Sequence, residues 1–153
     1  MKKVNGIIIF EVEEVKDVYV NDINRLLAQL SSSPAQFIHE SLTELVNSPS
    51  SHLFFAESEG RVVGMLTIGE YLAPTGKKMW VEDVVVDESM RGLSIGRMLV
   101  EYAISFANSL GCGNLMLTSR PSRVAANALY RSCGFQLKET NMYRMKVGEN
   151  RND

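Results

Sequence analysis

One stretch constrains this chain more than any other. It reads Trp-Val-Glu-Asp-Val-Val-Val-Asp from Trp80, then Glu-Ser-Met, then Arg-Gly-Leu-Ser-Ile-Gly-Arg-Met-Leu ending at Leu99. The run 81–86 is too apolar and too β-branched to be anything but a buried strand. Downstream, Ile95, Met98, Leu99, Tyr102, Ala103, Phe106 and Leu110 recur at helical spacing, so a helix begins near Ile95. The basic, Gly-containing turn between them places Arg91, Gly92, Leu93, Ser94, Ile95, Gly96 and Arg97 at a helix N-terminus. There, unpaired backbone N–H groups and the positive end of the helix dipole can receive an anion. Gly92 and Gly96 would let a phosphate reach the backbone without meeting a Cβ.

The rest of the chain supplies a sheet and helices to surround this unit. Residues 7–12 read as a first strand, and Asp17 as the cap of a helix carrying Tyr19, Ile23, Leu26, Leu27 and Leu30 on one face. A second helix is expected to start at Ser33, with Pro34 in its first turn and Gln36 closing a capping box. Residues 52–57 and 62–71 flank Ser58-Glu59-Gly60-Arg61, a hairpin signal, and Pro74-Thr75-Gly76 turns the chain into the central strand. Gly111 fits the end of the long helix, 114–118 a short strand, and Ser122 the cap of a last helix that Gly134 ends. Residues 135–138 and 142–147 read as a closing pair of strands. The expected order is β-α-α-β-β-β-α-β-α-β-β: an antiparallel meander followed by a parallel strand-helix-strand unit, a mixed α/β sheet with helices on both faces.

Size and composition narrow the class. A chain of 153 residues is expected to form one domain, with its core within about 7–147. With 45% hydrophobic and 22% charged residues it reads as an ordinary globular protein. A net charge of −2 gives no footprint for nucleic acid, and no apolar run approaches a membrane span. Only a four-residue apolar run, 7–10, follows Lys2 and Lys3, too short for a signal-peptide core. Cys112 and Cys133 lack metal-ligand spacing, so the expectation is a reduced, cytoplasmic protein without a metal.

The turn at 91–96 resembles the Gln/Arg-x-x-Gly-x-Gly/Ala signature of the GNAT superfamily of acetyl-CoA-dependent N-acetyltransferases, with Arg91 at the first position and Gly96 at the last. Ser94 stands where the family usually has Gly, and serine is less comfortable at positive φ. A second segment, Asn-Ala-Leu-Tyr-Arg-Ser-Cys-Gly-Phe from Asn127 to Phe135, resembles the superfamily's Ala-Leu-Tyr…Gly-Phe element, whose tyrosine lies near the thioester sulfur. Many relatives carry Asn seven residues before that tyrosine; this chain has Arg123 there, and Asn127 is a polar group one turn later.

The resemblance implies a GNAT fold, acetyl-CoA as cosubstrate and acyl transfer to an amine. An alkyl ammonium has a pKa of about 10, so a base must take its proton. Glu82 is the candidate base; Asp83, or a base acting through water, is the alternative. With regular alternation, Trp80, Glu82, Val84 and Val86 would share one strand face, and Val81, Asp83 and Val85 the other. Tyr130 reads either as the acid that protonates the departing thiolate, with a modestly lowered pKa, or as a core tyrosine of the last helix. Val84, Val85 and Val86 would offer backbone groups to the pantetheine arm, with the Val84 N–H at the oxyanion. Arg91, Arg97, Arg120, Arg123 and Arg131 would gather positive charge about the polyanionic cofactor.

The acceptor is expected to be a small primary amine lying between the first helical pair and the 71–78 hairpin. The rivals are a protein N-terminal or lysine acetyltransferase, and a coenzyme A-binding module without chemistry. A homodimer through the last strands is the expected assembly.

Overall fold

The structure, a computed structural model, describes residues 1–4 and 6–147. Six strands form one sheet in sequential order: β1 (Lys2–Val4), β2 (Ile7–Glu11), β3 (Ser51–Ser58), β4 (Arg61–Ala73), β5 (Gly76–Val86) and β6 (Leu115–Leu117). Neighbours run antiparallel except β5 and β6, which are parallel. The helices are α1 (Asp17–Leu30), α2 (His39–Asn47), α3 (Ile95–Ser109) and α4 (Val124–Ser132), with a single 3₁₀ turn at Glu88–Met90. This is the expected mixed sheet between two helical layers.

Both sheet faces are buried. Ile9, Phe54, Leu66, Ile68, Met79 and Val81 meet Ile95, Leu99 and Val100 of α3 and Tyr130 of α4. On the opposite face Leu53, Phe55, Val62, Met65 and Val85 meet Ile23 and Leu26 of α1 and Leu42 of α2. Alternate residues of β3 serve the two cores, which is why 53–56 reads as an unbroken apolar run. The β3–β4 hairpin closes through Glu59 and Gly60 at φ 50° and 79°, the left-handed pair of a two-residue turn.

Four expectations are corrected. Asp17 is the first residue of α1, and no side chain caps the helix at Lys16. The Ser33-Pro34-Gln36 signature starts no helix; α2 begins at His39. The reason is tertiary: Asn24 of α1 takes the Phe37 N–H on its Oδ1 at 2.9 Å and donates Nδ2 to the Phe37 carbonyl at 2.8 Å, holding that segment extended against α1. Arg123, not Ser122, is the cap residue of α4. The closing strands are absent, since 136–147 forms no strand and leaves Leu137, Met142, Tyr143, Met145 and Val147 exposed. The sheet instead gains β1, which pairs Lys2 with Ile9 and Val4 with Ile7.

Candidate active site

Two irregularities of β5 shape the site. The first is a bulge. Ile68 faces Val81 and Thr67 faces Glu82 across the ladder, then the register shifts, and Met65 faces Val85. Asp83 takes φ +50° at this point, a left-handed conformation that Asp tolerates better than most residues. The extra residue resets the alternation. Met79 and Val81 lie on the α3 face before the bulge, and Val84 and Val86 pack there after it, whereas Val85 faces α1 and α2. Thr67 and Glu82, one step from Ile68 and Val81, therefore face α1 and α2. Asp83 also lines the cavity beneath those helices. The expected face of Glu82 with Val84 and Val86 is thus overturned, and so is the placing of Asp83 opposite Glu82.

The second irregularity is the early end of β6, which stops at Leu117 while β5 runs on to Val86. β6 pairs with β5 as Met79–Leu115, Trp80–Met116 and Val81–Leu117, so among the described residues Val84, Val85 and Val86 have no ladder partner on that side. Nη2 of Arg123, at the entrance to α4, lies 3.5 Å from the Val84 carbonyl oxygen across the gap. Backbone groups that no neighbouring strand takes up among the described residues are available to an extended, amide-bearing arm.

At the end of β5, Asp87 is 3% exposed and organises the turn into α3. Its carboxylate accepts from Arg25 Nη1, from Arg61 Nη2 at 3.1 Å, and from the Ser89 N–H and hydroxyl at 3.1 and 2.8 Å. Burial pushes this carboxyl up, but Ser89, Arg25 and Arg61 outweigh it and hold the pKa below its ordinary value. Gln29 of α1 accepts the Glu88 N–H at 2.8 Å, so α1 is tied to the same turn. The sequence reading missed Arg25, Gln29, Arg61 and Asp87; nothing in their spacing signals that these distant residues meet.

Ser94 caps α3 in the left-handed region, φ 62° and ψ 13°, and its hydroxyl makes no capping bond. It holds the backbone shape that the usual glycine would supply, and Gly92 precedes it at φ 82°. Gly96 has another reason to be glycine. A Cβ there would lie 3.1 Å from Leu129 Cδ2 and 3.7 Å from Val86 Cγ2, so it lets α3 approach α4 and β5 rather than clearing space for phosphate. Arg91 and Leu93 are exposed at the turn, while the Ile95 side chain is buried and leaves only its backbone for a ligand. Arg97 is turned toward α4: Nη2 donates to Ser132 Oγ at 2.7 Å and Nη1 lies 3.7 Å from Glu101.

Tyr130 is 6% exposed, in the α3-side core, with its ring against Phe135. Burial raises its pKa and nearby Arg123 opposes the rise, so the expected lowering is overturned and the phenol is a reservoir of a held proton. Asn127 donates Nδ2 to the carbonyls of Arg120 and Arg123 at 2.9 and 3.0 Å and so orders the loop entering α4. Burial, then the neighbouring Asp83, lifts the Glu82 carboxyl above its usual range, toward the pH at which a base is effective. No cluster of His, Cys, Asp or Glu suited to a metal occurs among the described residues, nor any helix long and apolar enough to cross a membrane.

Several known proteins are similar to this chain in sequence or fold. Glucosamine 6-phosphate N-acetyltransferase 1 of Oryza sativa subsp. japonica is 28% identical over 145 residues, 86% of each chain. The N-alpha-acetyltransferase RimI of Mycobacterium tuberculosis is 35% identical over 103 residues, 67% of this chain and 60% of its own. The crystal structure of an aminoglycoside acetyltransferase from an uncultured soil metagenomic sample superposes with a TM-score of 0.82 at 20% identity, covering 94% of this chain and 97% of that one. The acetyltransferase (GNAT) family, whose members use acetyl-CoA, matches residues 21–135. With three quarters of its length inside that match, the chain belongs to the GNAT family of acetyltransferases.

Proposed function

We propose that this enzyme transfers the acetyl group of acetyl-CoA directly to the primary amine of a small molecule. The observation that carries the reading is the division of labour along β5, with two carboxylates facing α1 and α2 and free backbone groups beside the α3 N-terminus. In this reading the pyrophosphate sits on the backbone N–H groups of residues 92–97, with Arg91 beside it. The pantetheine arm pairs with Val84, Val85 and Val86 in the gap that β6 leaves. Arg123, bordering the same gap, adds positive charge there.

Glu82 takes a proton from the acceptor ammonium, directly or through one water. The freed nitrogen attacks the thioester carbonyl, and the Val84 N–H holds the oxyanion. As the tetrahedral carbon collapses, the C–S bond breaks and coenzyme A leaves with the proton of Tyr130; the attacking nitrogen sheds its second proton, which restores the phenol, and the proton held by Glu82 goes to solvent. A phenol raised by burial is a weak donor in the free enzyme, so the neighbouring Arg123 supplies the opposing pull.

The enzyme is further proposed to be cytoplasmic, one N-acetyltransferase domain, and to pair with a second copy through residues 135–147. The exposed Leu137, Met142, Tyr143, Met145 and Val147 support a covered surface there. The test is calorimetric titration with acetyl-CoA, repeated on Arg91→Glu, an exposed position, followed by coenzyme A release with small amines, an N-terminal peptide and a lysine peptide. Saturable binding that the variant loses, and turnover of small amines that falls in Glu82→Gln and Tyr130→Phe, is the expected result. Turnover of the peptides alone would replace the small-molecule acceptor, and binding without any turnover would leave a coenzyme A-binding module.

A further inference from the structure

Beneath α1 and α2, Ile23, Leu27, Phe37, Leu45 and Met65 line a half-open cavity of about 60 Å³, and Asp83, itself exposed, is the charged residue of its lining. We propose that this cavity seats the apolar substituent of the acceptor, with Asp83 holding the ammonium at its rim beside Glu82. The acceptor is then a primary amine on a compact aliphatic group rather than a phosphorylated amino sugar. This deepens the reading above and rests on it.

Three observations converge. The first is charge. No Lys, Arg or His lines the cavity, so a phosphate entering it would lose its water and meet no partner. Arg25 and Arg61 are paired with Asp87 and Lys77 with Glu70, while Lys78, on the Glu82 face of β5, stands four residues up the strand and does not line the cavity. Asp83 itself makes no ion pair among the described residues, which leaves a carboxylate for a cation brought by the substrate. The second is size. About 60 Å³ is roughly twice the ~30 Å³ that a water occupies in the liquid, room for about two carbons, so the outer two carbons of a propyl chain fit while the first stays at the rim with the nitrogen. The third is placement. The bulge turns Asp83 to the same side as Glu82 and Thr67, so an amine held by Asp83 is presented to Glu82 with its carbon chain directed inward.

The experiment pairs direct binding with turnover. Methyl resonances of Ile23, Leu27, Leu45 and Met65 are followed by NMR during titration with n-propylamine and, separately, glucosamine 6-phosphate. Coenzyme A release is measured for the n-alkylamines from methyl to hexyl and for the same sugar phosphate. Propylamine is expected to shift the cavity methyls and the sugar phosphate to leave them in place. The kcat/KM should rise at least tenfold from methylamine to propylamine and gain little beyond. Leu45→Phe should cut the propylamine-to-methylamine ratio at least fivefold, and Asp83→Asn should raise KM about tenfold for every amine, with Asp83→Glu partly restoring it. A flat length series, unmoved cavity methyls or preference for glucosamine 6-phosphate overturns the proposal, even if acetyl transfer is brisk. Cavity shifts in a protein that acetylates no amine uphold the cavity assignment and refute acetyl transfer.

Discussion

Replacing Ser94 by glycine isolates one term of the fold. Ser94 sits at φ 62°, where an L-residue is disfavoured by about 1–2 kcal/mol and glycine is not. Glycine in turn loses about 0.5–1 kcal/mol more chain entropy on folding. The serine hydroxyl makes no capping bond, so its removal forfeits no hydrogen bond. The balance is a gain of about 0.5–1 kcal/mol, which for a chain of this length raises Tm by roughly 1–4 °C. Urea and thermal unfolding of wild type, Ser94→Gly and Ser94→Ala test it. Alanine keeps the Cβ and should leave the midpoint nearly unmoved, whereas glycine raises it at constant m-value. Because the strain exists in the free enzyme, it does not change on binding, and the acetyl-CoA affinity of Ser94→Gly should stay within about threefold of wild type. A lower midpoint for glycine, or a serious loss in alanine, would refute the reasoning and show that the hydroxyl matters.

Other expectations follow from the same geometry. The Glu82 carboxyl is raised by burial and by Asp83, so activity falls as pH drops through that raised value. Asp83→Asn should move the acid limb of the kcat/KM profile to lower pH, and a limb that stays in place would exclude Glu82 as the titrating base. Asp87→Ala removes the carboxylate that four donors share and should cost about 3 kcal/mol in urea unfolding. Since the folded pKa of Asp87 is depressed, its stabilisation is complete above about pH 4 and lost as pH falls through the folded value, so the variant's deficit should shrink in acid. Tyr130→Phe should fold with stability within about 1 kcal/mol of wild type, because no hydrogen bond of the hydroxyl is lost among the described residues, while coenzyme A release slows. Equal turnover by the variant would make Tyr130 a packing residue alone.

Much of this was legible in the sequence, for reasons specific to particular residues. The apolar run 81–86 and the helical period from Ile95 fix β5 and α3, and Glu59-Gly60 fixes the hairpin, because local chemistry decides each of them. The start of α2 was misread because its capping signature is outcompeted by Asn24, a partner 13 residues from Phe37. The bulge was missed because regular alternation was assumed, although two successive acids, Glu82 and Asp83, inside an apolar strand already break it. The network on Asp87 lay beyond reading, since Arg25 and Arg61 come to it from 62 and 26 residues away. Residues 135–147 carry a strand-like composition without pairing, because composition does not specify a neighbour.

The bulge at Asp83 also has a consequence for how such an enzyme can change over generations. On either side of it, Met79, Val81, Val84 and Val86 are occupied with the α3 layer, while Glu82, Asp83 and the paired Thr67 look the other way. On the proposed reading, a substitution among these last three alters what the acceptor side recognises without disturbing the packing that holds α3. One strand thus offers two separately mutable surfaces, and a new acceptor preference can arise without a compensating change in the scaffold.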